Sequence, residues 1–244
     1  MASAEINYAV VGEKCAFTQG LSGAARAEFL AAGRRREFPN GTFLFLQDEP
    51  ADLFYILVAG KVRLSQLTPE GHQVIVHHVT PGEGIGVIVV LSHMPYPVSA
   101  ETLEDCVLLS WDGEITKQLM LQHPQLALNG LSMIAQHFVQ ISDRYRELAT
   151  ERVERRLAHA LLRLVRQVGT KTEQGVLIDI PLSRQDLGEM SGTTLHTASR
   201  ILSEWDRQGW IVAGRTRIEL LQPHKIVAIA EDLPVDLPPA KSLL

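Results

Sequence analysis

The 244-residue chain has little cysteine, no excess of positive charge and no long apolar run. Cys15 and Cys106 are the only cysteines. Two thiols cannot provide the four ligands of a structural zinc or an iron–sulfur cluster, and a disulfide framework is equally excluded. The longest apolar stretch, residues 84–91, is far too short to cross a bilayer, and no leader-like pattern opens the sequence. We therefore expect a cytoplasmic protein without a membrane partner.

The charge balance is uneven along the chain. A net charge of −5 argues against a protein that binds nucleic acid with its whole surface. Residues 1–150 carry 10 Lys and Arg against 16 Asp and Glu, whereas residues 151–244 carry 13 against 12. This asymmetry predicts two domains with different partners. A hydrophobic content of 45% with 21% charged residues predicts a packed core.

Residues 38–111 have the pattern of short strands. Runs rich in β-branched and aromatic residues alternate with the turn signals "PNG" at 39–41, "AG" at 59–60, "PEG" at 69–71 and "PGEG" at 81–84. Such regular spacing predicts a small antiparallel barrel or jelly roll, here called the β-roll.

The hydrophobic period then changes to that of a helix. Apolar side chains follow one another in alternating steps of three and four, at Leu131, Ile134, Phe138, Ile141, Tyr145 and Leu148. This is a heptad seam, which favours a long helix over 126–150 that pairs with its copy in a homodimer. About three heptads make a short seam, so neighbouring surface would have to contribute. The alternative is a helix packed on its own β-roll.

The C-terminal part predicts a helix-turn-helix motif. A helix over 151–169 is followed by a helix, a glycine-containing break and a second helix between Ser183 and Gly209. The apolar spacing predicts that the two later helices bury Leu187, Met190, Leu195, Ala198, Ile201, Leu202 and Trp205. The remaining face is polar, at Thr194, His196, Thr197, Ser199, Arg200 and Glu204. The alternation and Ala-Gly turn of residues 211–221 predict a hairpin that would lie beside this face as a wing.

The chemistry of the polar face suits DNA. Arginine can bind guanine O6 and N7 with two hydrogen bonds, and Ser or Thr hydroxyls can contact phosphates. The alternative is a solvated face on an ordinary helical hairpin. An enzyme is not expected, because Ser191 or Ser199 with His196 lacks an acid to orient the imidazole.

The whole arrangement resembles the CRP/FNR family of bacterial transcription regulators over about residues 17–228, most strongly at residues 183–211. The resemblance implies an α+β fold: an antiparallel β-roll, a long dimerisation helix and a winged helix-turn-helix. It divides the chain into an effector-sensing domain (1–125), a dimerisation helix (126–150), a DNA-binding domain (151–230) and a disordered tail (231–244). The sequence "GTTLHTASR" at 192–200 looks most like the branch that responds to nitrogen oxides.

For DNA, the family's base-reading positions fall on Leu195, His196, Ser199 and Arg200. His196 departs from the Glu found in many members, so the base pair that it meets is open. Further DNA contacts are expected from Arg184, Thr193, Thr194, Thr197, Arg215 and Arg217. The implied partners are double-stranded DNA with a near-palindromic operator and, if the regulator activates, RNA polymerase.

For the effector, the resemblance argues against cAMP. Val87 and Tyr96 stand where nucleotide-binding members carry the Glu and Arg that hold the ribose and phosphate. An unpaired buried phosphate would cost several kcal/mol. The family's N-terminal cysteine cluster is also missing, which excludes its iron–sulfur mechanism. We expect an apolar pocket that takes haem or a small apolar ligand, with residues Val87, Leu91, His93, Met94 and Tyr96.

His93 is the first candidate for a haem ligand, with His77 and His78 as others. A rival interpretation is a small-ligand-binding, cupin-like protein whose helical domain makes protein contacts only. A second rival is an enzyme that uses the barrel as a cupin-like metal site, with His77, His78 and Glu83 as ligands.

Overall fold

The computed structural model describes residues 15–69, 71, 73–87, 92 and 94–234. The chain divides into two compact units, Met1–Ser142 and Asp143–Leu244, and the boundary falls inside one long helix. Among the described helices, none has the length and the hydropathy that crossing a membrane requires.

In its described residues, the first unit contains eight short strands. It begins with a 3-10 turn at Ala16–Thr18 and helix α1 at Gly23–Ala31. The strands are β1 (Arg34–Phe38), β2 (Phe43–Phe45), β3 (Leu53–Ala59), β4 (Val62–Leu67), β5 (Gln73–Val79), β6 (Gly84–Ile85), β7 (Ser99–Thr102) and β8 (Cys106–Asp112). They form two four-stranded sheets, in the orders β1-β8-β3-β6 and β2-β7-β4-β5, and all pairings are antiparallel.

Two cores lie on either side of the first sheet. One core joins the facing sides of the two sheets, with Tyr55 and Leu57 of β3 opposite Val62 of β4 and Val79 of β5. The other core lies between the opposite face of β3 and β8 and the helices, and it contains Phe17, Phe29, Phe54, Trp111, Leu126 and Met133. Strand β3 is therefore buried on both faces, which explains why its sequence, "LFYILVA", is an unbroken apolar run.

Strand β1 was not among the predicted strands. Its sequence, "RRREF", has no apolar alternation, because β1 is an edge strand whose first four residues are exposed. The register with β8 pairs Arg34 with Ser110, and the Arg36 Nε donates a hydrogen bond to the Ser110 Oγ at 2.9 Å. Backbone pairing with a buried neighbour forms this strand in the absence of a hydrophobic pattern.

Two helices follow the sheets. Helix α2 spans Gly113–Gln122 and starts at Asp112, whose carboxylate accepts a hydrogen bond from the Glu114 backbone N–H. Helix α3 spans Pro124–Thr150, so the predicted long helix is present and begins at a proline, the residue best suited to a first helical position.

The second unit contains the predicted helices and hairpin. Its elements are α4 (Val153–Val168), β9 (Gly169–Lys171), β10 (Val176–Ile178), α5 (Arg184–Met190), α6 (Leu195–Arg207), β11 (Ile211–Ala213), β12 (Ile218–Leu220) and α7 (Pro223–Ala230). The strands form one antiparallel sheet in the order β11-β12-β10-β9. The predicted α+β fold with a β-roll, a long helix and a winged helix-turn-helix is confirmed. Residues 235–244 of the predicted disordered tail lie outside the described part of the chain.

Candidate nucleic-acid interface

Helices α5 and α6 are joined by a short turn. Residues at the start of each helix and in the turn itself fix this geometry. Ser183 begins α5: its hydroxyl accepts from the Asp186 N–H, and the Asp186 carboxylate accepts from the Ser183 N–H at 2.7 Å. After α5, Gly192 adopts a φ of +61°, a left-handed conformation that favours glycine. Thr194 then caps α6 by accepting a hydrogen bond from the Thr197 N–H.

Helix α6 separates an apolar face from a polar one. Ala198, Ile201, Leu202 and Trp205 are buried, as the apolar spacing predicts. Leu195 is 40% exposed, so the prediction that it is buried is wrong. It lies in the first turn, next to His196 and beyond the part of the helix that the core covers. Of the first helix, Leu187 is buried as predicted, whereas Met190 is half-buried.

The exposed face of α6 carries the predicted base-reading side chains. His196 and Arg200 are exposed and one helical turn apart, and Ser199 is half-buried. The Thr193, Thr194 and Thr197 hydroxyls lie around the helix start, with the Thr194 and Thr197 Oγ1 atoms 3.1 Å apart. Unpaired N–H groups and the positive end of the helix dipole add to the attraction for phosphate at such a position. The structure thus brings together the residues predicted on this helix.

Arg184 has a different setting from the one predicted. Its guanidinium donates to the Ser203 Oγ at 2.9 Å, to the Ser199 carbonyl at 3.3 Å and to the Ala213 carbonyl at 3.4 Å. These bonds link the start of α5 to α6 and to β11. They use three of the five N–H donors of the guanidinium, so Arg184 has an internal role, and its contact with DNA stays a prediction.

The charges that remain for a partner are those of Arg200, Arg215 and Arg217. All three are exposed, and Arg215 and Arg217 lie in the turn between β11 and β12. In the described part of the chain, none of the three forms an ion pair. By contrast, Arg207 at the far end of the same helix is paired with Glu204. Hydrogen bonds from Arg207 and Gln208 lower the pKa of Glu204, so its carboxylate stays charged and balances the arginine.

Of the residues predicted for an effector pocket, the three that the structure describes are not brought together. Val87 is buried in the core between the first sheet and the helices, whereas Tyr96 is buried in the core between the two sheets. Met94 is 55% exposed. Leu91 and His93 lie outside the described residues. Proximity in the sequence does not determine on which side of a sheet a side chain packs. This explains why the predicted pocket residues lie in different parts of the unit.

Tyr96 is a core residue. Its ring stacks on that of Phe45 with centroids 3.6 Å apart. Its hydroxyl donates to the Leu53 carbonyl at 2.7 Å and accepts from the Leu53 N–H at 3.1 Å. Both polar functions of the phenol are therefore used inside the protein.

The side chains considered for a metal make internal bonds. The His77 Nε2 lies 3.3 Å from the Glu83 Oε1, and the Glu83 Oε2 accepts from the Thr80 N–H and hydroxyl. Burial alone would raise the pKa of Glu83, but the bonds from His77 and Thr80 outweigh it and lower the pKa. Within the described ranges, no three His, Cys, Asp or Glu side chains converge as metal ligands would.

The seam of α3 is largely exposed in the single chain. Five of its members are more than half exposed: Leu131, Phe138, Ile141, Tyr145 and Leu148. Ile134 is half-buried and packs on the helical side of the first unit's core. Leu128 and Val139, which the heptad pattern omits, are also more than half exposed. In the sequence, each of these two residues is one position away from the heptad pattern, so the pattern did not include them.

The fold and this face define a class: a sensor-type β-roll on the same chain as a winged helix-turn-helix. Comparison with family models agrees, because residues 35–123 match the cyclic nucleotide-binding domain and residues 155–229 match the Crp-like helix-turn-helix domain. The chain belongs to the CRP/FNR family and is a DNA-binding transcription regulator with an effector-binding domain.

Relatives of known role match over most of their length. The nitrogen fixation regulation protein FixK of Bradyrhizobium diazoefficiens is 28% identical over 222 residues, which cover 88% of this chain and 90% of FixK. The cyclic AMP receptor protein of Thermus thermophilus is 28% identical over 197 residues, 81% of this chain and 88% of that protein. The solved structure of FixK2 from Bradyrhizobium japonicum superposes with a TM-score of 0.69 at 25% identity, covering 81% of this chain and 96% of that one.

Proposed function

We propose that the protein acts in the cytoplasm as a homodimer that binds a near-palindromic operator through α6 and the β11–β12 wing. The observation that carries the proposal is the exposed polar face of α6, where Arg200 and His196 stand one turn apart. Two copies held by α3 would place two such helices in successive major grooves. If the regulator activates transcription, RNA polymerase is its further partner.

Arg200 provides the test of base reading. Its substitution, Arg200→Ala, should cost about 1–3 kcal/mol of discrimination between operator and unrelated duplex, the usual value of a bidentate contact to guanine. Arg207→Ala is the matched control, because Arg207 is on the same helix but is paired with Glu204. Binding is measured by fluorescence anisotropy on both duplexes. Undiminished discrimination in Arg200→Ala would exclude it as a base reader.

The proposed effector is not a cyclic nucleotide. Val87 is apolar and buried, and Tyr96 has both polar functions engaged with Leu53, so neither can replace the carboxylate and guanidinium expected for ribose and phosphate. The nitrogen-oxide branch, with haem as cofactor, is the finer proposal that the sequence of α6 suggests. Of the described pocket residues, Val87 and Tyr96 do not fit as haem ligands, so that proposal depends on His93 or on the other two candidates, His77 and His78.

Two measurements separate these effectors. A ligand bound at 100 times its dissociation constant stabilises a protein by about 2.7 kcal/mol, so a true effector should raise the melting temperature clearly. We expect no such shift with cAMP. The absorption spectrum after addition of haem, and then of nitric oxide, should show a bound haem whose band moves. A rise in melting temperature with cAMP would contradict the exclusion of cyclic nucleotides. A haem spectrum that the protein leaves unchanged would contradict the haem proposal.

A further inference from the structure

The junction between α3 and α4 contains an arginine whose three nitrogens all donate to backbone carbonyls. The Arg156 Nη1 donates to the Glu151 carbonyl at 2.8 Å, the Nε to the Ser191 carbonyl at 2.8 Å and the Nη2 to the Gly192 carbonyl at 3.1 Å. All four residues belong to the second unit.

These carbonyls belong to the ends of two helices. Glu151 closes the last turn of α3, since its N–H donates to the Glu147 carbonyl at 2.9 Å. Ser191 ends α5, and Gly192 follows it in the turn that leads to α6. Carbonyls at helix C-termini lack intrahelical partners and carry a partial negative charge, so a cation there is favourable. One planar guanidinium thus caps α3 and α5 together, which the single ammonium of a lysine could not reproduce.

Packing supports the same link. A Cβ atom added at Gly192 would lie 2.4 Å from the Leu148 Cδ2, so the turn before α6 rests directly on the last turn of α3. Side-chain charges also join α3 to α4. The Glu147 carboxylate accepts two hydrogen bonds from Arg163, at 2.7 and 2.8 Å.

The side chain of Glu151 is 4% exposed, and its carboxylate lies among basic side chains of both helices. It lies 3.6 Å from Arg146 and Arg155 and 3.3 Å from His159. The end of α3, the start of α4 and the turn before α6 are therefore fastened to one another within the second unit.

We propose that Arg156 is a positioning residue for operator recognition. It holds the turn at Ser191–Gly192 against the end of α3, so that the first turn of α6, with His196, keeps a fixed direction relative to that helix end. Arg156 acts on DNA through this turn and does not itself contact DNA. Nothing in the sequence distinguishes Arg156, because it is one of several arginines on an amphipathic helix. The proposal rests on the proposed operator binding.

The test compares three variants of the full-length protein on operator and on unrelated duplex. Arg156→Gln removes the charge and two of the three donating nitrogens. Arg156→Lys keeps the charge but not the planar geometry. Arg152→Gln is the matched control, because Arg152 is exposed and its substitution removes an equal charge four residues away from Arg156. Circular dichroism melting establishes that each variant is folded.

We expect Arg156→Gln to weaken operator binding at least about tenfold, the scale on which one charge-assisted hydrogen bond affects an equilibrium constant. Binding to unrelated duplex should match that of Arg152→Gln. Arg156→Lys should not restore operator affinity, since geometry rather than charge is lost. Unchanged operator affinity, equal losses on both duplexes, or full recovery with lysine would each overturn the proposal, the last two in favour of a phosphate contact.

Hydrogen exchange gives a readout that needs neither DNA nor a stable glutamine variant. In Arg156→Lys, the amides at 191–196 should exchange faster than in the wild type, whereas those at 201–207 should be unchanged. Unaltered exchange at the turn would contradict the proposal. A wild-type protein without operator preference would contradict the proposed function instead, and the exchange result would still decide whether Arg156 holds the turn.

Discussion

Tyr96 shows how one side chain can be read in two ways. By the family resemblance, Tyr96 stands where nucleotide-binding members hold a phosphate. In the structure, its hydroxyl is hydrogen-bonded to Leu53 and its ring stacks on that of Phe45. The residue therefore contributes to the stability of the β-roll. That contribution can be measured apart from any ligand.

Substitution Tyr96→Phe should lower the free energy of unfolding by about 1–2 kcal/mol near neutral pH, because two hydrogen bonds to the half-buried Leu53 are lost. Urea titration followed by circular dichroism measures it. Met94→Ala, an exposed position in the same loop, is the control and should change little. No loss in Tyr96→Phe would contradict the assignment of Tyr96 to the core.

The same residue predicts a dependence on alkaline pH. Burial raises the pKa of Tyr96 to about 12, against about 10 in an unfolded chain. The folded state therefore holds this proton more tightly, so its contribution is complete below about pH 10 and is lost as the pH rises towards 12. The stability difference between the wild type and Tyr96→Phe should narrow between pH 8 and about 11. An equal difference at both values would contradict it.

At the scale of elements, α3 presents an apolar stripe that the described residues of its own chain leave exposed. An Asp at Phe138 or Ile141, which are 69% and 61% exposed, would place a charge within the proposed dimer contact. We expect Phe138→Asp to convert the dimer to monomer at micromolar concentration, measured by analytical ultracentrifugation. Gln140→Asp is the control on the same helix. A Phe138→Asp variant that remains dimeric would place the interface elsewhere.

The elements also show where sequence reasoning succeeds. The spacing of Ala198, Ile201, Leu202 and Trp205 predicted α6 and its buried face, because a helix repeats every 3.6 residues on one core. Strand β1 and the packing of Tyr96 were not predictable in this way. Their environment is set by neighbours distant in sequence, such as Ser110 for Arg36 and Phe45 for Tyr96. Likewise, Leu195 fits the apolar spacing but lies past the edge of the core.

At the scale of the whole molecule, the proposed symmetric pair of α6 helices would require a fixed distance between operator half-sites. Insertion of about five base pairs between them would turn one half-site to the opposite side of the duplex and should reduce affinity to that of a single half-site. The control is a spacer of original length and altered sequence. Anisotropy titration measures both, and affinity that tolerates the insertion would argue against recognition by a rigid symmetric pair.

Strand β1 has a consequence for the behaviour of the free protein. An edge strand offers unpaired backbone groups on which another chain could extend the sheet. The side chains of Arg34, Arg35 and Arg36 against that of Glu37 give this strand a net charge of +2, three positive minus one negative, so two such edges repel one another before their backbones can pair. The arginines that remove the apolar alternation from this strand thus also disfavour polymerisation of the protein through its edge.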